Sequence, residues 1–106
     1  MNKGELKNKI IESLKGQKEI ERIIIFGSFN QSDSPNDIDI AVVQNSNDNY
    51  MTLSLKYRRL IRSITKEIAV DIFPVMVNNR NNFFRNEIAS GEVIFARWKK
   101  FVESDC

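Results

Sequence analysis

The sequence contains no histidine and a single cysteine, Cys106. Those two shortages exclude whole classes of chemistry. Cys/His zinc sites have no ligands, and nucleophile systems that rely on a histidine base cannot be assembled. One thiol makes no internal disulfide, which fits a reducing, cytoplasmic setting. Apolar runs stop at four or five residues, far below the roughly twenty needed to span a membrane, so no membrane association is expected. The first twenty residues interleave Lys3, Lys7 and Lys9 with Glu5 and Glu12, and no secretory leader is expected there.

Basic charge is missing from one long stretch. Between Arg22 and Lys56 there is no lysine or arginine, while Asp33, Asp37, Asp39 and Asp48 fall inside that gap. An acidic segment without counter-charge either faces bulk water or waits for a cation. With no histidine and no usable thiol, that cation must be a hard one held by carboxylate oxygens. The net charge of +2 says nothing about partners, but its distribution does. Lys56, Arg58, Arg59, Arg62 and Lys66 crowd a later segment, either as a solvated helix face or as a basic surface for phosphate groups.

What is present is ordinary for a folded protein. Apolar residues make up 42% and charged residues 28% of 106, which suits one domain, residues 1–106, with one real core. Leu6, Ile10 and Leu14 have helical spacing, predicting a helix over 3–16 stopped by Gly16. Ile20 to Phe26 is a β-branched strand ended by Gly27, and turn formers fill 31–36. Ile38 to Val43 is a second strand, and Asn47 or Asp48 caps a helix over 50–68. Ala69 to Val77 is a third strand, with Pro74 pointing to an edge position or a strand end there. A short helix is expected over 83–89, closed by Gly91. Ile94, Trp98 and Phe101 have helical spacing in the last segment and either line a contact surface or fold as a terminal helix onto the protein's own core. The order α-β-β-α-β-α implies an α/β (α+β) domain, a small mixed sheet with helices mainly on one face.

The chemistry is concentrated in "IIIFGSFNQSDSPNDIDIAVV", residues 23–43. Side chains alternate along a strand, so Ile38, Ile40 and Val42 share one face and Asp37 and Asp39 the other. Asp71 repeats the arrangement between Val70 and Ile72. If the two strands are neighbours, three carboxylates converge on one patch, where a divalent cation relieves their repulsion. Gly27 permits a tight turn and close backbone approach. If a helical turn starts there, Ser28 and the adjacent N–H groups face a phosphate. Taken singly, a Gly-Ser is usually a turn and an Asp-x-Asp usually a loop edge. Together, on these elements, they have the layout of a phosphoryl- or nucleotidyl-transfer site.

Gly27-Ser28, Asp37-Ile38-Asp39 and Asp71 within "AVDIF" resemble the minimal nucleotidyltransferases (MNT type) of the DNA polymerase β superfamily, across nearly the whole chain. "EIASGEVIF" is similar to their usual ending. The resemblance implies a polymerase-β-like palm and transfer of AMP from ATP, with two Mg²⁺ ions on three aspartates. It assigns the triphosphate to Gly27 and Ser28, metal to Asp37, Asp39 and Asp71, and activation of the acceptor hydroxyl to Asp71. It also implies an antitoxin role beside a HEPN-type helical protein that serves as acceptor. The loop from Ser28 to Asp37 holds eight residues, shorter than is usual in that family. Gln31 and Ser32 stand where a basic residue and a glycine are common. Lys56, Arg58, Arg59 or a partner would then supply the missing positive charge. Two other readings remain open: a catalytically weak antitoxin that acts by occlusion, and a nucleotidyltransferase for a small molecule such as an aminoglycoside. Nucleic acid ranks last among partners, because the basic cluster lacks interleaved aromatics. The sequence leaves homo-oligomerisation open.

Overall fold

The computed structural model describes residues 2–78 and 90–97. Helix α1 (Lys3–Leu14) starts where the Asn2 side chain accepts the Glu5 N–H, and it buries Leu6, Ile10 and Leu14. Strand β1 (Ile20–Phe26) follows and gives way at Gly27 to a four-residue 3₁₀ turn, Gly27–Asn30. After the polar loop, β2 (Asp37–Gln44) leads to helix α2 (Tyr50–Leu60) and the short α3 (Arg62–Thr65). Strands β3 (Ala69–Met76) and β4 (Glu92–Ala96) complete the sheet.

The sheet order is β3-β2-β1-β4. β1 pairs antiparallel with β2 and β4, whereas β2 and β3 are parallel. The sheet is therefore mixed, as expected. Ile23, Ile25, Ile38, Ile40, Val42, Val70 and Ile72 face the helices and pack with Leu6, Ile10, Leu53, Tyr57 and Ile64. Ile24, Phe26, Ala41, Val43 and Val75 form a smaller cluster on the other face. All these side chains are nearly fully buried. At about 25 cal/mol per Å² of apolar surface removed from water, this double-sided packing is the main stabilising contribution.

Pro74 lies in β3, opposite Val42, on the outer strand of the sheet. Its missing N–H costs no ladder bond on the solvent side.

Several expectations change. The helix over 50–68 is broken at Ile61, whose backbone (φ −103°, ψ 22°) leaves the helical region. Ile61, Ser63, Ile64 and Thr65 are all middling helix formers, and the Thr65 hydroxyl donates to the Arg62 carbonyl. The cap of α2 is Asn49, whose side chain accepts the Thr52 N–H at 2.8 Å, not Asn47 or Asp48.

The segment from Val93 begins as a strand, not a helix. Glu92–Ala96 pairs with the open edge of β1, with a register shift at Ile23/Ile24. That irregularity lets both Ile94 and Phe95 pack on the helix-side core. Ile94 is thus partly core. Trp98, Phe101 and the helix expected over 83–89 lie outside the described residues. Gly91 is needed for close approach: a Cβ there would meet the Ile25 carbonyl oxygen at 2.7 Å.

Candidate active site

Strand pairing brings the singled-out residues together. Phe26 pairs with Asp39, and Asp39 pairs in turn with Asp71 across the parallel ladder. Gly27 therefore lies on one side of Asp39 and Asp71 on the other. Asp37 is two residues earlier on the same face, opposite Ala69. All three carboxylates lie on the sheet face away from the helices, at the end where β1 finishes and β2 and β3 begin. The crossover through α2 and α3 makes β2 and β3 parallel and so aligns Asp71 with Asp39.

Gly27 has φ +77°, and a Cβ on it would sit 2.5 Å from Asp39 Oδ2. Glycine is required here twice, by backbone conformation and by the carboxylate beside it. Ser28 is the second residue of the 3₁₀ turn and is exposed, and its carbonyl accepts the Gln31 and Ser32 N–H groups. Among the described residues, no hydrogen bond holds its hydroxyl.

The floor behind Asp39 is aromatic. The Phe26 and Phe73 rings lie 5.6 Å apart, tilted by 54°. They flank β2 where its outward residue is the small, fully buried Ala41. Burial first, then the charges of Asp71 and Asp37 and a hydrogen bond shared with Asp71, push the Asp39 carboxyl above its ordinary value. That pattern marks a carboxylate without a positive partner. Among the described residues no three acidic side chains are gathered into a ready-made metal cage.

The donors still suit a hard divalent cation. They are oxygen-only and anionic, and Asp39 is half-buried between two like charges. Mg²⁺ commonly uses one or two carboxylates and completes its shell with water and substrate phosphate.

The expected basic contribution from Lys56 does not reach this end. Lys56 donates to Glu19 at 2.9 Å, just before β1 starts, a strand length of roughly 23 Å from Gly27. Arg58 bonds the Val70 carbonyl at 3.4 Å from the helix side.

A different lysine serves the loop. Lys3 Nζ donates to the carbonyls of Phe29 at 2.7 Å and Ser32 at 2.6 Å, and lies 5.0 Å from the Phe29 ring centroid. The first turn of α1 thus clamps the short loop after Ser28 and brings a positive charge to it. Sequence reasoning missed Lys3 because its partners lie 26 and 29 residues away and no local pattern announces the contact.

This arrangement defines a class before it defines a reaction: a carboxylate-lined sheet edge next to a glycine-serine turn. The polymerase beta nucleotidyltransferase family model matches residues 8–100, and the chain belongs to that family. It is a nucleotidyltransferase, as the motif resemblance implied.

Solved structures agree on the fold. The chain is similar to one in the complex of tri-AMPylated Shewanella oneidensis HEPN toxin with MNT antitoxin, with TM-score 0.66 and 20% identity, covering 92% of this chain and 75% of that one. The toxin-antitoxin MntA-HepT gives 0.61 and 17%, with 92% and 76% covered. A toxin-antitoxin structure with AMP-PNP gives 0.66 and 22%, with 89% and 76% covered. No curated protein matches the chain in sequence. Among the described residues no helix is long and apolar enough to cross a membrane.

Proposed function

We propose that this protein is a Mg²⁺-dependent adenylyltransferase that moves AMP from ATP to a hydroxyl on a HEPN-type protein partner, and so acts as an antitoxin. The observation that carries the reading is the placement of Asp39 between Gly27 and Asp71 with Asp37 on the same face. The similar folds seen with HEPN toxin and with AMP-PNP support the choice of partner and nucleotide.

Asp37 and Asp39, with Asp71, would hold the metal, which when bound offsets phosphate charge and polarises the reacting phosphorus. Ser28 and the exposed backbone of its turn would take the triphosphate. The turn has four residues, so its hydrogen-bond donors, not a helix dipole, would do this. Lys3 would keep the loop after Ser28 in one shape.

Asp71, exposed on its outer strand, would accept the proton of the acceptor hydroxyl. That oxygen would form a bond to the α-phosphorus as the bond to pyrophosphate breaks. A tyrosine hydroxyl on the partner suits the step, because its proton is the most easily lost among side-chain alcohols.

A second reading, an antitoxin that only occludes its partner, is favoured by the short loop after Ser28, in which Gln31 and Ser32 carry no positive charge. One experiment separates the two. Incubation of the protein with ATP, Mg²⁺ and a HEPN-type partner should add AMP to the partner, read by mass spectrometry. Asp71→Asn should lose transfer while keeping nucleotide binding. An unmodified partner, neutralised equally well by Asp71→Asn, supports occlusion and ends the enzyme reading.

A further inference from the structure

The solvent side of α2 carries a feature that nucleotide transfer does not use. At about 100° per residue, Met51, Leu55, Arg58 and Arg59 fall within an arc of roughly 100° opposite the core residues Leu53 and Tyr57. Met51, Leu55 and Arg58 follow one another at steps of four and three, the spacing of a helix-packing seam, and Arg62 lies past the break at Ile61, in α3. Its apolar end is open to water, Met51 at 65% and Leu55 at 54% exposure. Leu55, Arg58, Arg59, Arg62 and Thr65 line an open cavity of about 370 Å³.

Among the described residues Lys7, Lys9, Lys15 and Lys56 each have a carboxylate partner. Arg59 and Arg62 have none, and Arg58 makes one 3.4 Å bond to a backbone carbonyl. Among the described residues Lys18, Arg22 and Lys66 also lack a carboxylate partner, but Arg58, Arg59 and Arg62 differ in lining one cavity together. Guanidinium binds carboxylate in a two-pronged geometry that lysine does not reproduce.

We propose that this face of α2 docks an acidic amphipathic helix of a partner protein. The partner's apolar residues would cover Met51 and Leu55, and its Asp or Glu side chains, about one turn on, would engage Arg58, Arg59 and Arg62. An apolar anchor beside arginine is the composition of an interface centre. A nucleic acid would use the arginines but gain nothing from Met51 and Leu55. The inference does not depend on the transfer reaction: Asp71→Asn should dock as the unaltered protein does.

The test is fluorescence anisotropy with the full chain and two labelled, helix-stabilised peptides. One carries leucines at two successive seam positions and glutamates at the next two; the other replaces the glutamates by lysines. The glutamate peptide should bind at least tenfold more tightly than the lysine peptide. Arg59→Glu/Arg62→Glu, which spares Arg58 and its bond to β3, should reverse that preference. Leu55→Gln should weaken both matched pairs. The proposal is overturned if the glutamate peptide does not bind, if the charge exchange fails to restore binding, or if Leu55→Gln has no effect. Tighter binding of a single-stranded oligonucleotide of the same net charge would also overturn it in favour of nucleic acid. Self-association abolished by Leu55→Gln would overturn it in favour of a second copy of the chain.

Discussion

Gly27 and Asp39 constrain each other. The left-handed backbone at Gly27 disfavours any side chain by roughly 1–2 kcal/mol, and Asp39 Oδ2 occupies the space a Cβ would take. Gly27→Ala should lower stability by at least that backbone amount, read from the urea midpoint. It should also cut transfer activity more than the stability loss explains, because the carboxylate is displaced. An alanine variant with full activity would show that the turn's shape is irrelevant to the site. Both partners were readable in advance, since glycine after a buried strand and aspartates alternating with isoleucines are local patterns. What could not be read was the 2.5 Å approach, which depends on the pairing of β1 with β2.

At the scale of elements, long-range polar contacts fix how the helices meet the sheet. Lys3 ties the first turn of α1 to the loop after Ser28. Lys3→Met keeps the apolar stem and removes both bonds. It should weaken nucleotide binding by on the order of tenfold, as expected for losing about 1.4 kcal/mol of charge-assisted hydrogen bonding, and speed amide exchange around Ser32. Unchanged exchange there would mean that Lys3 does not order the loop.

At the opposite end, Glu19 accepts from Lys56 at 2.9 Å and from the Tyr57 hydroxyl at 2.8 Å, pinning α2 to the start of β1. Burial opposes the Glu19 charge, but the bonds from Lys56, from its own backbone and from Tyr57 outweigh it and hold the carboxyl below its ordinary value. Burial first, then Glu19, pushes the Tyr57 phenol up. A depressed carboxyl adds stability that is present above its unfolded value, near pH 4.5, and fades as pH falls through the folded value. Glu19→Gln should therefore lower stability by roughly 1–3 kcal/mol at pH 7, with the difference shrinking below about pH 4. A gap independent of pH would contradict this. Elements with strong local signals, α1 and the first three strands, were legible in the sequence to within a residue or two. β4 was not, because Val93 to Phe95 suits either period and the open edge of β1 decided between them. The break at Ile61 escaped for a similar reason: the apolar spacing runs on unbroken while the backbone does not.

Over the whole molecule, one sheet serves two purposes on its two faces. The isoleucine face packs on the helices and supplies most of the core, while the same strands present Asp37, Asp39 and Asp71 on the other face at one end. That arrangement leaves charge without compensation, visible in the raised Asp39 carboxyl beside Asp71 and Asp37. A site built this way is destabilised until a cation arrives, so binding and stability should change in opposite directions. The most direct measurement is calorimetric titration of the protein and of Asp39→Asn with Mg²⁺ and a non-hydrolysable ATP analogue, alongside melting of each protein alone. Mg²⁺ and nucleotide should bind the unaltered protein cooperatively, and Asp39→Asn should melt higher alone yet give no binding heat. Equal binding heat from Asp39→Asn would contradict the assignment of these aspartates to a nucleotidyl-transfer site.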